Sequence, residues 1–183
     1  MLYIMRHGKT DWNERHKIQG RTDIPLNEEG RQMARDAAAE YRDVHFDVCY
    51  CSPLIRARET AEILLSGRDV PIITDDRLVE MGFGVYEGIE NSFSIPDCPI
   101  NVLFFHPDQY TVPVENGESL DELFARTGAF LEELVEPDLA AGKDVLIVGH
   151  GAMNCSIVCQ VKKRTRAEFW ADGIPNCKLM TLK

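Results

Sequence analysis

Two histidines in this sequence follow short apolar runs, and each is followed by a glycine. His7 comes after the apolar run at residues 2–5 and Arg6, and His150 comes after a second run at residues 144–149. Apolar runs of this length that stop at such a pair predict buried strands that end in loops. The glycines let the backbone approach a ligand closely. One histidine at a strand end is more often a packing residue, but two at one sheet edge indicate a shared site.

Two arginines accompany these histidines. Arg6 directly precedes His7, and Arg56 comes shortly after Ser52-Pro53. A serine cap with proline at the first helical position predicts the start of a helix, whose free backbone amides favour anions. Guanidinium groups bind pairs of phosphate oxygens with matching geometry. The sequence therefore predicts an oxyanion pocket that suits a phosphate better than a neutral ligand or a cation.

The elements that must position these side chains alternate between strand and helix. Strands are predicted at residues 2–5, 46–51, 71–75, 144–149 and 177–182, and helices at residues 27–43, 54–65, 118–135, 151–161 and 164–170. This alternation predicts an α/β fold, a three-layer sandwich in which helices flank a mostly parallel central sheet. Ligands bind such sheets at the carboxyl ends of the strands, where His7, Arg56 and His150 are expected to meet.

Length, charge and cysteine content limit the possible functions. A chain of 183 residues suits a single domain over residues 1–183 and is too short for two ordinary domains. The formal net charge of -10 repels nucleic-acid backbones and anionic membranes, so neither is expected as a partner. No apolar run approaches membrane-spanning length and the N-terminus lacks a leader pattern, so a cytoplasmic location is expected.

The six cysteines form no C-x-x-C pair, which favours buried free thiols.

Further motifs extend along nearly the whole chain in a fixed order. They are Arg6-His7-Gly8-Lys9-Thr10, Asn13, Gln19-Gly20 with Thr22, Pro25-Leu26-Asn27 leading to Gly30, Ser52-Pro53-Leu54-Ile55-Arg56-Ala57, Thr60-Ala61, Leu78-Val79-Glu80-Met81, Phe83-Gly84, Glu87-Gly88, Gly117-Glu118-Ser119 and Val148-Gly149-His150-Gly151. In this set of motifs the chain resembles the histidine phosphatase superfamily, in its phosphoglycerate mutase-like branch. The resemblance implies a phosphoglycerate mutase-like fold and a reaction at phosphate esters that needs no cofactor.

The same resemblance implies a role for each matching residue. His7 would be the nucleophile that accepts the phosphoryl group, and Glu80 would donate a proton to the leaving oxygen. The groups that bind the transferred phosphoryl group would be Arg6, Arg56, His150 and Asn13. Further substrate contacts would come from Gln19, Gly20, Thr22 and Gly151. A related branch has an aspartate as its acid directly after the second histidine, but Gly151 stands there, which leaves Glu80 as the candidate.

The chemistry of these residue types agrees with the implied roles. A neutral imidazole nitrogen can attack phosphorus, and neighbouring arginines disfavour a second positive charge on His7. Fixed guanidinium groups stabilise the charge on the equatorial oxygens during transfer, so no metal is expected at the site. Glu80 must carry a proton before it can protonate a departing alkoxide. Lys9 stands where many relatives have glutamate, and it either changes the charge at the pocket rim or is a surface lysine.

The sequence favours a phosphatase that hydrolyses phosphate monoesters of small molecules through a phosphohistidine intermediate. The chain ends at Lys183, soon after the last predicted strand, so no C-terminal tail is expected to close the pocket against water. A phosphoglycerate mutase-type transfer and an inactive module that binds phosphorylated ligands stay open as alternatives. A metal hydrolase that uses His7, His150, Glu80 and a cysteine is disfavoured, because the two arginines would repel a cation.

The segment at about residues 89–116 shows little period and is expected to cover the pocket and to determine the substrate. Its ring-bearing residues form either an apolar wall of the pocket or ordinary core; they are Phe93, Phe104, Phe105, His106 and Tyr110. Relatives with this pattern dephosphorylate sugar phosphates, phosphoglycerate or ribazole phosphate. The sequence does not distinguish among these substrates, and it gives no oligomeric state.

Overall fold

The central sheet has five strands, which are β1 Leu2–Arg6, β2 Val48–Cys51, β3 Ile72–Thr74, β4 Val145–Gly149 and β5 Leu179–Thr181. The computed structural model describes residues 1–183 and arranges these strands in the order β3-β2-β4-β1-β5. The first four strands run parallel, and β5 pairs antiparallel with β1 at one edge. Every residue of β4 is buried, because this strand is central and both faces of the sheet are covered. The predicted mostly parallel sheet is confirmed.

Helices cover both faces of this sheet. They are α1 Asp11–Glu14, α2 Glu28–Glu40, α3 Ile55–Leu64, α4 Asn101–Phe105, α5 Leu120–Phe130, α6 Glu136–Ala140 and α7 Gly151–Lys162. Along β4, Val145 and Ile147 pack into the core under α5 and α7, whereas Leu146 and Val148 pack into the core under α2 and α3. The predicted three-layer sandwich is confirmed. None of these helices has the length and apolar content that crossing a membrane requires.

The start of α3 differs from the prediction. The helix begins at Ile55 with Leu54 as its N-cap and without a capping side chain, so the predicted serine cap is wrong. The Ser52 hydroxyl lies 2.7 Å from Nε2 of His150 and accepts a hydrogen bond from the Leu54 N–H in the turn before the helix. Arg56 still lies in the first turn of α3, as predicted.

The predicted helix at residues 118–135 is present, but its path is longer and irregular. α5 begins after Ser119, whose side chain accepts from the Glu122 N–H while the Glu122 carboxylate accepts from the Ser119 N–H. A π-helical turn at Leu131–Val135 follows α5, and α6 continues from it. The apolar spacing therefore predicted the position of the helix but neither its π-helical turn nor its end.

Several short elements differ from the prediction as well. The predicted helix at residues 164–170 is a single 3₁₀ turn at Arg166–Glu168. The segment at residues 89–116 contains α4 and two further 3₁₀ turns, at Ser92–Ser94 and Pro107–Gln109. Elements of one turn are too short to show an apolar period, so the pattern did not indicate them.

All six cysteines are free and buried, which confirms the prediction of buried thiols. Burial raises the pKa of the Cys49 thiol to about 12, and it is also the main reason why the pKa of Cys155 rises to about 12. The thiolate is the reactive form of cysteine, so these two side chains behave as apolar packing groups.

The loop after β1 is pressed against the start of α2. The Asn27 N–H donates to the carbonyl oxygen of Lys9 at 3.0 Å, and the Asn27 side chain accepts from the Gly30 N–H. A Cβ atom on Gly30 would lie 2.1 Å from the Lys9 carbonyl oxygen, and one on Gly8 would lie 2.5 Å from the Gly30 carbonyl oxygen. The close approach of the two backbones therefore requires glycine on both sides, next to His7.

Replacement of Gly30 by alanine is expected to destabilise the protein. Alanine favours a helix by up to about 1 kcal/mol, but overpacking against loop backbone costs about 1–3 kcal/mol. Urea unfolding should therefore give a lower free energy of unfolding for Gly30→Ala than for the wild type. Gly128→Ala in α5 is the control, because the nearest atom to its added Cβ is the flexible end of Gln160. A Gly30→Ala protein as stable as the wild type would contradict this role of the glycine.

Candidate active site

A cavity of about 630 Å³ lies at the carboxyl ends of the parallel strands. Its lining comes from the loop after β1, the start of α3, the loop that holds Glu80 and the start of α7. The predicted site residues that line it are Arg6, His7, Asn13, Gln19, Gly20, Arg56, Glu80 and Gly151. His150 and Thr22 do not line it. Distant stretches of the chain therefore bring His7, Arg6 and Arg56 to one cavity, whereas His150 lies outside its lining.

His7 is a buried imidazole with one ring nitrogen bound to the protein. Its Nδ1 lies 2.6 Å from the carbonyl oxygen of Gly8. A carbonyl oxygen only accepts, so Nδ1 carries the hydrogen and Nε2 keeps its lone pair. Burial, together with the charges of Arg56 and Arg6, holds the pKa of His7 well below its usual range. The neutral ring can therefore act as a nucleophile through Nε2.

His150 is fully buried next to His7, and 5.2 Å separates the two ring centroids. Its Nε2 lies 2.7 Å from the Ser52 hydroxyl, and its buried Nδ1 has no hydrogen-bond partner. Burial and the charge of Arg56 hold the pKa of His150 well below its usual range. Both imidazoles are therefore neutral, and the contact of His150 with a phosphoryl group stays a prediction.

Arg6 and Arg56 bring two guanidinium groups to the cavity. Arg56 is fully buried and donates to the carbonyl oxygens of Gly20 at 2.7 Å and Thr22 at 2.9 Å. Arg6 donates to the carbonyl oxygen of Ile174 at 3.5 Å. In both arginines the buried Nε–H group has no partner. Each guanidinium group therefore keeps donor capacity that the protein itself does not satisfy, which suits an anionic ligand in the cavity that both arginines line.

Glu87 holds the loop to which Arg56 is bound. Its carboxylate accepts from the Arg21 N–H at 3.0 Å and from the Thr22 N–H at 2.9 Å and hydroxyl at 2.5 Å. Gly20 has a φ of 57°, and a Cβ atom there would lie 2.1 Å from Oε1 of Glu87. The Thr22 hydroxyl is thus bound to Glu87 rather than exposed to the cavity, and Thr22 serves the site through its carbonyl group. The sequence showed Glu87 within a motif but gave it no role.

Glu80 is buried at the N-terminus of α7. Its Oε1 accepts from the N–H groups of Met81 at 2.8 Å and Met153 at 2.9 Å, and its Oε2 accepts from the Ala152 N–H at 3.2 Å. The free amides of the helix start therefore fix the position of this carboxylate. Oε2 has the single, longer bond, so it is the oxygen with more capacity left for contact with a ligand. This oxygen is next to Gly151, where a Cβ atom would lie 3.6 Å from it.

Thr10 orients two amide side chains of the cavity. Its buried hydroxyl lies 2.8 Å from Oε1 of Gln19 and 3.2 Å from Oδ1 of Asn13, and this Oδ1 also accepts from the Thr10 N–H. Because the amide oxygens contact Thr10, the amide NH₂ groups remain as donors for a ligand. The sequence placed Thr10 in a motif without a role, and its capping of α1 is the local signal that fits this position.

Lys9 lies outside the cavity. It pairs with Glu29 at 2.5 Å and does not line the cavity, so it is a surface lysine.

A metal hydrolase would need a set of metal ligands. No three His, Cys, Asp or Glu side chains of the protein are grouped so that they could hold a metal ion. The site residues therefore fit an anion rather than a cation.

The segment at residues 89–116 supplies part of a cavity wall. Phe93 and Phe104 line the cavity, and the other three candidates of this segment do not: Phe105 and His106 are exposed, and Tyr110 is buried in the core. The hypothesis of an apolar wall is thus correct for two of these residues and wrong for the remaining ones.

Two aromatic residues that the sequence did not indicate complete this wall. They are Phe83, from the loop that also holds Glu80, and Trp170, which follows α7 near the end of the chain. We name the rings of Phe83, Phe93, Phe104 and Trp170 the aromatic wall. No local pattern predicts its assembly, because its members come from three separate segments of the chain.

The buried histidines make stability depend on pH. In the unfolded chain a histidine takes up a proton below about pH 6.5, but the lowered pKa values of His7 and His150 keep the folded protein from binding these protons. The folded state then binds fewer protons than the unfolded state, so the free energy of unfolding falls as the pH drops below about 6.5. The loss is up to about 1.4 kcal/mol per pH unit for each histidine, and above that pH this contribution is constant.

Urea unfolding at about pH 7 and about pH 5 measures this dependence. Between these two pH values, we expect the free energy of unfolding to decrease less for His7→Gln than for the wild type. The difference between the two decreases is at most the contribution of one histidine. An identical pH dependence in the two proteins would contradict a neutral His7.

Comparison with known proteins agrees with this geometry. The family model of the histidine phosphatase superfamily (branch 1) matches residues 2–183. The uncharacterized phosphatase PhoE of Bacillus subtilis is 35% identical over 158 residues, which cover 86% of this chain and 75% of the relative. The probable phosphoglycerate mutase GpmB of Escherichia coli O1:K1 is 36% identical over 184 residues, which cover 97% of this chain and 82% of the relative.

A solved structure gives the same result for the fold. The mycobacterial glucosyl-3-phosphoglycerate phosphatase in complex with VO₃ superposes with a TM-score of 0.85 at 29% identity, over 97% of this chain and 90% of that chain. With the family model matching nearly the full length, this chain belongs to the histidine phosphatase superfamily.

Proposed function

We propose that this protein is a phosphatase that hydrolyses phosphate monoesters of small molecules through a phosphohistidine at His7. One observation carries the proposal: a neutral His7 with a free Nε2 lines the same cavity as Arg6 and Arg56, which keep unpaired N–H donors. The Bacillus subtilis relative and the mycobacterial structure are both named as phosphatases, which supports the proposal.

In the first step, Nε2 of His7 attacks phosphorus, and the bond between phosphorus and the ester oxygen breaks. Oε2 of Glu80 gives its proton to that oxygen, so the alcohol leaves as a neutral molecule and Glu80 becomes ionised. Arg6 and Arg56 stabilise the negative charge on the equatorial oxygens of the transferred group. Because these donors are already fixed in place, little reorganisation is needed during transfer.

In the second step, a water molecule attacks the phosphohistidine. The ionised Glu80 takes a proton from the water as the bond between phosphorus and Nε2 of His7 breaks. Inorganic phosphate leaves, His7 is neutral again and Glu80 is protonated again. The two steps therefore balance with one ester and one water, and they return the site to its starting state.

Water as the final acceptor distinguishes this proposal from a mutase. The Escherichia coli relative is named a probable phosphoglycerate mutase, so transfer to a second substrate molecule is the alternative. The cavity reaches solvent at Phe93, whose side chain is 63% exposed. A phosphohistidine in such a cavity is accessible to water, which favours hydrolysis.

Replacement of His7 by asparagine tests the nucleophile. We expect kcat/KM for a phosphate monoester to fall by at least about 1,000-fold, because the attacking nitrogen is lost. A reaction with labelled ester that is quenched by denaturation at alkaline pH should leave acid-labile label on the wild type and none on His7→Asn. His45→Asn is the control, because His45 lies on the surface beside Asp47 and should leave both readouts unchanged.

Two results would overturn the phosphatase proposal. One is a His7→Asn protein with undiminished rate, and the other is phosphate release by the wild type without labelled protein. Transfer of the label to added phosphoglycerate in preference to water would replace the phosphatase by a mutase. Activity of the wild type should persist in EDTA, because the proposed steps use no metal ion.

Glu87 provides a test of how Arg56 is positioned. In Glu87→Gln an amide NH₂ replaces one acceptor oxygen and faces the loop N–H groups, so the carbonyl groups that hold Arg56 should shift. Loss of hydrogen bonds to a charged group costs about 1.5–3 kcal/mol, so we expect kcat/KM to fall by about 10- to 100-fold. Glu90→Gln is the control, because this exposed carboxylate pairs with Arg15 on the surface. Equal kcat/KM for Glu87→Gln and the wild type would show that the loop does not depend on Glu87.

A further inference from the structure

The cavity has two chemically different parts. Arg6 and Arg56 supply charged groups and Glu80 supplies a carboxyl group beside His7, whereas the aromatic wall supplies neither. We infer that the aromatic wall binds the alcohol part of the substrate, and that the preferred substrates are phosphate monoesters of apolar alcohols that carry a ring. This inference rests on the proposed phosphatase function and names the substrate class of the same site.

The aromatic wall is a continuous surface organised around Phe104. The Phe104 ring stacks on Trp170 at 5.6 Å between centroids, meets Phe93 edge-on at 5.3 Å and lies 6.1 Å from Phe83. Pairs of rings at these separations attract each other in offset-stacked or edge-to-face arrangements. A ring on the substrate would meet the same kind of contact along this surface.

The aromatic wall offers no hydrogen bond to a ligand. Its only polar hydrogen is the indole N–H of Trp170, which donates to the carbonyl oxygen of Leu103 at 2.8 Å. The three phenylalanine rings have no polar atoms. A hydroxyl or carboxylate placed against this wall would lose its bonds to water without replacement, which is unfavourable. Contact with the wall itself therefore favours an apolar group of the alcohol over a hydroxyl or a carboxylate.

Packing against the core does not explain the position of the Phe93 ring in the wall. Its side chain is 63% exposed, and it belongs to neither of the two core clusters. Phe104 and Trp170 are partly buried against the core, and Phe83 is buried in it. A large exposed ring at the wall of a cavity gains by burial under a ligand.

Little positive charge in the cavity remains for a second anionic group on the alcohol. Arg6 and Arg56 are assigned to the phosphoryl group, and the carboxyl group of Glu80 offers no positive charge. Lys17 is the remaining lysine or arginine of the lining, and its Nζ lies 5.5 Å from the centre of the Trp12 ring in a cation–π contact. A carboxylate on the substrate would have to draw Lys17 away from this contact.

Three esters of primary alcohols test the inference, because their leaving oxygens are of the same kind. They are 2-phenylethyl phosphate, with a ring, 3-phosphoglycerate, with a carboxylate, and ethyl phosphate, with neither. Phosphate release should give a kcat/KM for 2-phenylethyl phosphate at least about 10-fold above that for the other two, the gain expected from burying a ring.

The variant Phe93→Ala tests whether the preference for 2-phenylethyl phosphate depends on the aromatic wall. We expect this variant to lower kcat/KM for 2-phenylethyl phosphate by about 10-fold and to leave ethyl phosphate unchanged, because the latter does not reach the wall. Val112→Ala is the control: Val112 is 76% exposed, lies outside the cavity and should affect neither ester.

The outcomes separate the inference from the proposed function. Phosphate release from none of the three esters would overturn the phosphatase proposal, and the inference with it. Faster turnover of 3-phosphoglycerate than of 2-phenylethyl phosphate would overturn the inference alone and would assign Lys17 to a substrate carboxylate. An equal loss on all three esters in Phe93→Ala would also overturn it, because the ring would then act on the site as a whole.

Discussion

A guanidinium group can be buried beside an imidazole only where other groups compensate for its lost hydration. Arg56 meets this condition through the carbonyl oxygens of Gly20 and Thr22, which accept from its guanidinium group, while burial lowers its pKa. Burial, together with the positive charges of Arg56 and Arg6, holds the pKa of His7 well below its usual range. The loop of backbone carbonyl groups that accommodates Arg56 therefore contributes to keeping the histidine neutral.

The start of α7 serves the site in an unexpected way. Helix N-termini commonly bind anionic ligands, but here the free amides of Ala152 and Met153 are taken by the side chain of Glu80. The helix thus fixes the proposed general acid, and in the proposed mechanism the binding of phosphate is left to arginines and amides. His150 immediately precedes the same helix, so one element sets the positions of both groups.

The sequence predicted the parts of this protein that depend on local pattern. The apolar run of β4 indicated a central strand, and the rule that parallel strands share a carboxyl edge predicted that His7 and His150 lie close together; their ring centroids are 5.2 Å apart. Ser52 shows where such reasoning fails, because a serine before a proline has the same local signal in a helix cap and in a turn. Its bond to His150 decides between the two, and that bond joins distant parts of the chain. Glu87 was missed for a related reason, since it acts on backbone N–H groups that a sequence does not distinguish.

The six buried cysteines have a consequence for how this fold can be observed. Cys49, Cys51 and Cys177 belong to the core on the side of α2 and α3, whereas Cys98, Cys155 and Cys159 belong to the core on the side of α5 and α7. An alkylating reagent reaches either set only when the corresponding layer separates from the sheet. The protein thus carries an internal reporter on each face, and mass spectrometry of the alkylated peptides would reveal which layer opens first.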